Sequence, residues 1–343
     1  MNDEHFSSFL APPSEIFIVK EVTEMKSTHL VEVVPIRLEP HPNADSLSIV
    51  RVFDGYTCCV RTVDWEGKSK GAYIPPDSVV DSSRPEFAFL SGHERIKVKK
   101  LRGIVSMGLL MPVSDDVELG TDLAEELGVT HYDPPLPASS GGEAAQAPVG
   151  YRPNYDVDTL RRYAHVFEAG ELIWVTEKIH GASARYCWVG DEMHAGSRTE
   201  WKRESKNNLW WQVIERYPEL TEFCRANPEI TVYGEVYGNV QDLKYGAKAG
   251  EVCFSAFDLL RGSEWINPAE ARQIGASLPW VPLLSEGVSF DLETILTLAE
   301  GESLMTGANH IREGIVVKPV IERTHPEVGR VCLKVVSNAY LER

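Results

Sequence analysis

Glu177-Lys-Ile-His-Gly-Ala-Ser183 is the stretch on which the reading of this 343-residue chain turns. It follows the apolar run Leu172-Ile-Trp-Val175, whose β-branched and aromatic residues read as a strand, and Gly181 permits the turn that ends it. A strand that stops at Lys178 presents an amine at a sheet edge. Such an amine is a nucleophile once deprotonated, and neighbouring cations or a metal ion favour the free form. A lone Lys-x-x-Gly is a weak signal, so its weight depends on what surrounds it.

Further elements follow in order: Gly196-Ser-Arg198, Val232-Tyr-Gly-Glu235, Phe254-Ser-Ala-Phe-Asp258, Glu313-Gly-Ile-Val-Val-Lys318 and Leu333-Lys334. They lie on or beside strand candidates at 172–178, 182–189, 231–237, 253–260, 314–320 and 331–336. Helical stretches at 208–217 and 292–299 are interleaved with these, which implies an α+β arrangement with antiparallel sheets.

These elements, in this order, resemble the nucleotidyltransferase motifs of covalent ligases, and the stretch resembles an ATP-dependent RNA ligase. The layout over nearly the whole chain is similar to the Naegleria and Deinococcus type of RNA ligase. That resemblance implies an N-terminal OB-fold β-barrel followed by an antiparallel-sheet nucleotidyltransferase domain, ATP-grasp-like in its ligase chemistry. It implies Lys178 as the AMP-accepting nucleophile, with Glu177, Ile179 and Gly181 beside the nucleotide. Arg198 would contact the ribose or terminal phosphates, Glu235 the ribose or a hydrated metal, and Phe254 or Phe257 would stack on the purine. Glu235, Asp258 and Glu313 are the metal candidates for Mg²⁺ or Mn²⁺, and Lys318 and Lys334 would grip the α-phosphate. The reaction implied has three steps: lysyl-AMP formation from ATP, transfer of AMP to an RNA 5′-phosphate, and attack by a 3′-OH, with nick sealing in RNA repair as the setting.

Each residue has an ordinary competitor. Arg198 could pair with Glu200 or Asp191, His180 could be a packed core histidine, and Lys318 before Pro319 could be a solvated strand end. Phe254 and Phe257 point to opposite strand faces, so one belongs to the core. The chain also departs from its relatives. Where DNA ligases and capping enzymes have Lys-x-Asp-Gly-x-Arg, this sequence has His180 and Ser183, which favours the RNA-joining branch. The last motif often carries a second lysine two positions away; here those places are Cys332 and Val336, so Lys334 stands alone or Arg330 compensates. The chain ends at Arg343, nine positions beyond Lys334, so a trailing OB domain is not expected.

Residues 29–113 read as short β-branched strands bounded by Gly, Pro, Asn and Asp turns, the pattern of a small Greek-key barrel. His41-Pro-Asn-Ala-Asp-Ser-Leu47 and the later Lys100-Leu-Arg-Gly-Ile-Val-Ser-Met-Gly-Leu109 resemble the tRNA-binding OB module of several synthetases. Arg95-Ile-Lys97-Val-Lys99-Lys100-Leu-Arg102 places five cations in eight residues. Lys97, Lys99, Lys100 and Arg102 are therefore candidate phosphate contacts, with a solvated strand face as the alternative. Residues 114–132 turn acidic and helical, and 133–150 lack large apolar side chains. The expected division is an OB domain over 1–132, a linker over 133–150 and the nucleotidyltransferase domain over 151–343.

The composition, 43% hydrophobic and 25% charged, is that of a soluble globular protein, and no apolar run approaches the roughly 20 residues of a membrane span. The start Met-Asn-Asp-Glu-His is not a secretory signal, so a cytoplasmic monomer is expected, acting on RNA and not on a membrane. Six scattered cysteines without Cys-x-x-Cys spacing read as free thiols. The net charge of −17 argues against indiscriminate phosphate binding, so any nucleic-acid contact must use a local basic patch. The rival functions are a DNA ligase, a GTP-dependent capping-type nucleotidyltransferase, or a non-catalytic tRNA-binding adaptor built on residues 29–113 alone.

Overall fold

The computed structural model describes residues 29–132 and 142–343. The N-terminal strands are short because turns interrupt them every few residues. Glu32–Pro35, Lys70–Ile74 and Leu109–Pro112 form one antiparallel sheet, and Glu39–Pro40, Leu47–Val52 and Tyr56–Arg61 form another. Alternation along Glu32–Pro35 sends Val33 and Val34 to opposite sides. Val33 packs with Ala72, Ile74, Phe87 and Ile96, while Val34 packs with Val50, Val52, Trp65 and Tyr73.

The expected closed barrel is not what the pairing gives. Closure requires every strand to be paired along both edges, whereas among the described strands Leu109–Pro112 pairs only with Lys70–Ile74 and Glu39–Pro40 only with Leu47–Val52. The ladder is a set of separate small sheets. The cationic segment is not one continuous strand. Lys99–Leu101 pairs with Ile104–Ser106 across an Arg102-Gly103 turn, and both turn residues have positive φ, 45° and 94°. Those angles suit a two-residue hairpin turn. The acidic stretch after residue 113 holds just one helical turn, Ala124–Leu127, ended by Gly128 at φ 64°.

Two larger antiparallel sheets make up the rest. A seven-stranded sheet runs in the spatial order Ala144–Ala145, Trp201–Lys202, Glu192–Gly196, Ala182–Val189, Ile230–Gly238, Val252–Arg261, Glu264–Trp265. Its first strand falls inside the stretch expected as linker, of which residues 133–141 lie outside the described residues. A five-stranded sheet runs Asp158–Thr159, Leu333–Val336, Gly314–Pro319, Leu172–Lys178, Leu283–Ser289, antiparallel except for its first pair. Helices Leu209–Arg216 and Pro218–Ala226 cover the seven-stranded sheet, and Asn208 caps the first by accepting from the Trp210 N–H at 3.0 Å. Trp210, Leu220, Val232, Phe254 and Leu259 fill that core, each buried side chain worth about 1.5–3 kcal/mol. Helix Leu292–Leu298 closes the second core over Ile173, Val175, Ile315 and Val317.

The N-terminal sheets dock on this body through the turn at Gly55. Its N–H donates to the Arg161 carbonyl at 3.0 Å, and a side chain at position 55 would meet Arg161 Cα at 2.5 Å, so glycine is required there. All six cysteines are free thiols, as expected. Among the described residues no helix is long and apolar enough to cross a membrane.

Candidate active site

Strand register gathers the expected lysines. Lys178 lies opposite Gly314, Trp174 opposite Lys318, and Val316 opposite Lys334. Because side chains alternate with period two, Lys178, Lys318 and Lys334 all rise from the same face of the five-stranded sheet. That face borders a cleft of about 920 Å³, whose opposite wall carries Glu235 and Phe257 from the seven-stranded sheet. Gly181 links Lys178 of the five-stranded sheet to Ala182, which pairs with Val236 in the seven-stranded sheet. A Cβ there would lie 2.1 Å from the Val236 carbonyl oxygen and 3.1 Å from Glu235 Cγ.

The centre of the site is an ion pair. Lys178 Nζ donates to both oxygens of Glu313, at 2.8 and 2.7 Å. Burial alone would lower the Lys178 pKa, but the charges of Glu313 and then Glu235 outweigh it, so the pKa stands above its ordinary value. The sequence suggested that neighbouring cations would favour the free amine; here the carboxylates win and the lysine is held as an ammonium. Glu313 responds in the opposite sense. Burial would raise it, yet Lys178 and His180 draw it down to about 2. Glu235, half-buried on the facing sheet, is raised to about 8 by burial and by the Glu313 charge, despite the opposing pull of Lys178 and a Gly181 N–H. Two carboxylates beside one lysine are thereby driven apart, one held charged and one held protonated.

His180 is a structural part of this centre that the sequence left open. Its Nδ1 lies 3.5 Å from Glu313, its Nε2 lies 3.1 Å from Asp242 and 3.2 Å from the Tyr340 hydroxyl, and its N–H donates to the Tyr245 hydroxyl at 2.7 Å. Glu177 points to the other side of its strand. It accepts from Ser303 Oγ at 2.5 Å and the Leu304 N–H at 2.7 Å, so its carboxylate is already satisfied, and burial raises its pKa. Ile179 packs against Tyr237, Leu243 and Tyr245 in a small buried cluster.

Asp258 and Lys318 form a second buried centre. Lys318 Nζ lies 2.5 Å from Asp258 Oδ1, and Arg330 donates to Oδ2 at 3.0 Å while also binding Glu322 at 2.5 Å. The Tyr155 hydroxyl donates to Asp258 as well. Burial would raise the Asp258 pKa, but Arg330 and Lys318 hold it below the usual carboxylate range. Asp258, expected among the metal candidates, thus has both oxygens committed to protein donors, and Lys318 is committed in turn. Among the described residues no three His, Cys, Asp or Glu side chains form a ready-made metal cage. Arg330 does stand near the last lysine motif, but it serves Asp258 and Glu322. Phe254 is fully buried in the sheet core against Tyr186, whereas Phe257 borders the cleft beside Tyr155, their ring centres 4.5 Å apart. Arg198 is half-exposed at the cleft and lies 3.8 Å from Asp156. Burial, and then Lys178, lower the Lys334 pKa.

Residues 171–336, which hold these lysines and carboxylates, match the family model described as RNA ligase. The chain carries an RNA ligase domain. Among solved structures, the Naegleria gruberi RNA ligase with PPi is 25% identical, with a TM-score of 0.77 over 92% of this chain and 98% of that one. A mutant of the Naegleria enzyme without ligand gives 25% identity and 0.76 over the same shares. Another mutant, with ATP and Mn, gives 24% and 0.78, again over 92% and 98%. None of the curated proteins matches the chain in sequence. The ligase domain makes this protein an enzyme acting on RNA, and it contains Lys178, Glu235, Glu313, Lys318 and Lys334. Of the expected phosphate contacts before it, Lys97, Lys99, Lys100 and Arg102 are all exposed, with Ile96 and Val98 buried between them and the core.

Proposed function

We propose that the protein is an ATP-dependent RNA ligase that joins a 3′-OH to a 5′-phosphate through lysyl-AMP on Lys178, and that nicks in RNA-containing duplexes are its substrate. One observation carries the reading: a lysine amine held by both oxygens of Glu313, on a sheet face it shares with Lys334, at the bottom of a nucleotide-sized cleft. The ATP preference draws support from the neighbour solved with ATP and Mn. Residues 151–343 would be the nucleotidyltransferase domain, residues 1–132 an OB-type nucleic-acid module, and 133–150 the connection.

Attack on the α-phosphorus needs the free amine, so the Lys178–Glu313 pair has to open first. The new bond joins Nζ to phosphorus as the bond to pyrophosphate breaks. Lys334, whose pKa is already lowered, sits on the same sheet face and would neutralise the α-phosphate oxygens. Phe257 would bear on the purine, while Phe254 stays in the core. Lys318 would act chiefly by holding Asp258 and the cleft wall.

The donor set suits a hard divalent ion. Glu313 and Glu235 offer two carboxylates near Lys178, and nucleotide phosphates would complete the shell, the usual arrangement for Mg²⁺. Such an ion would supply charge neutralisation at the phosphates. Binding it would require Glu235 to ionise, against the raised pKa of the free site.

The deciding experiment incubates the protein with α-phosphate-labelled ATP or GTP and a divalent ion, then denatures it. Acid-labile label on the wild type and none on Lys178→Ala is expected. Label retained by the variant would reject Lys178, and preference for GTP would favour the capping reading.

A further inference from the structure

A second cavity, of about 270 Å³, adjoins the main cleft and shares Pro76, Asp77, Arg95, Tyr340 and Leu341 with it. Both sides of the molecule build it. Arg95 and Lys97 come from the N-terminal part of the chain, in the segment before Lys99–Leu101, and Arg343 from the C-terminal end. Two carboxylates, Asp77 and Asp242, also line it, and each is paired with one of its arginines. Arg95 donates to Asp77 at 3.0 and 2.6 Å, and Arg343 lies 3.4 Å from Asp242. Lys97 is exposed and has no ion-pair partner among the described residues. In a chain of net charge −17, a groove with more cations than carboxylates is a local exception.

The groove leads inward along an aromatic surface. The Arg95 guanidinium lies 3.9 Å from the centre of the Tyr132 ring, and Tyr132 lines the main cleft together with Lys178. Nucleotide chemistry uses the two large sheets and has no need of this N-terminal wall, which lies outside the span matched to the RNA ligase family. Cations that track phosphates, followed by a ring on which a base can stack, are the two components of single-strand recognition.

We infer that this groove, from Lys97 and Arg343 past Arg95 and Tyr132 to Lys178, is the path by which an RNA strand end enters the active site. Lys97 and Arg343 contact successive phosphates, and Tyr132 supports a base close to the junction. Asp77 and Asp242 fix the orientation of the two arginines. The RNA is then gripped between the N-terminal sheets and the C-terminal end, so the two parts of the chain act on one strand. Lys99, Lys100 and Arg102 line neither cavity and sit outside this path. The inference rests on the ligase reading and names where its second substrate lies.

The test compares two partial reactions in the full chain: lysyl-AMP formation from labelled ATP, and sealing of an RNA nick whose 5′ end is already adenylylated. Tyr132→Ala is expected to raise the KM for RNA about tenfold and Tyr132→Phe to stay within about twofold, as loss of one base–ring stack predicts. Lys97→Ala and Arg343→Ala are each expected to reduce the slope of log affinity against log salt by about one. In all three weakened variants the ratio of sealing to lysyl-AMP formation falls. Unchanged KM and salt slope in Lys97→Ala and Tyr132→Ala would overturn the path. Lysyl-AMP formation falling as much as sealing would also overturn it, by placing the groove in the nucleotide site. A wild type that forms no lysyl-AMP sinks the ligase reading itself, a result separable from both.

Discussion

Replacing Glu235 by glutamine separates the electrostatics of the site from its chemistry. The wild-type carboxyl is held protonated up to about 8, chiefly by burial and secondarily by the neighbouring Glu313 charge. In the unfolded chain it ionises near 4.5. Between these values the folded state binds the extra proton, so stability falls as pH rises and the loss is complete above about 8. At ~1.4 kcal/mol per unit, the shift corresponds to about 5 kcal/mol, and solvent at the half-buried carboxyl reduces this to about 3–5 kcal/mol. Glutamine keeps the shape but carries no charge. Urea unfolding followed by tryptophan fluorescence should therefore show wild type and Glu235→Gln within about 1 kcal/mol at pH 5. At pH 8.5 the variant should be the more stable by about 3–5 kcal/mol while losing lysyl-AMP formation, an active-site group retained at the expense of stability. A stability difference that does not change with pH, or a variant less stable at pH 8.5, would refute the reasoning.

Glu313→Gln should act at the other end of the pH scale. The wild-type carboxylate, held at about 2, contributes stability above about 4.5 that is lost as pH falls toward 2, about 3 kcal/mol in all; acid-unfolding curves of the variant should lack that part of the slope. Asp258→Ala strands Lys318 and Arg330 without their shared counter-charge, and a loss of about 3–5 kcal/mol in denaturant-measured stability is expected. Gly181→Ala forces a methyl against the Val236 carbonyl, so a loss of about 1–3 kcal/mol should accompany reduced sealing; unaltered activity would show that the turn after Lys178 can shift there freely.

The sequence located the strands that matter because their signals are local. Leu172–Lys178 is an apolar, β-branched run stopped by a glycine, and the helix at 209–216 has an asparagine cap and an apolar stripe. Phe254 and Phe257 could not be assigned from alternation alone. A bulge opposite Tyr233 and Gly234 breaks the period between Ala256 and Asp258, which leaves Phe257 as the extra residue. The same limit applies to Asp258, whose partners Lys318 and Arg330 lie 60 and 72 positions away. The N-terminal strands were legible as strands, but whether their ladders close depends on which edges meet, and edges meet only in three dimensions.

By itself the sequence determined the ligase motif order and the α+β alternation, because residue type and spacing along a strand or helix set which side chains share a face. It also determined that Lys178 ends a strand at a glycine turn. Tertiary structure alone decided the charge state of that lysine, since Glu313 arrives from 135 positions away and its field exceeds the cost of burying the ammonium. It likewise decided that Asp258 serves the buried cations and that Lys97 and Arg343 face one groove, because Coulomb interactions depend on distance through space and not on separation along the chain.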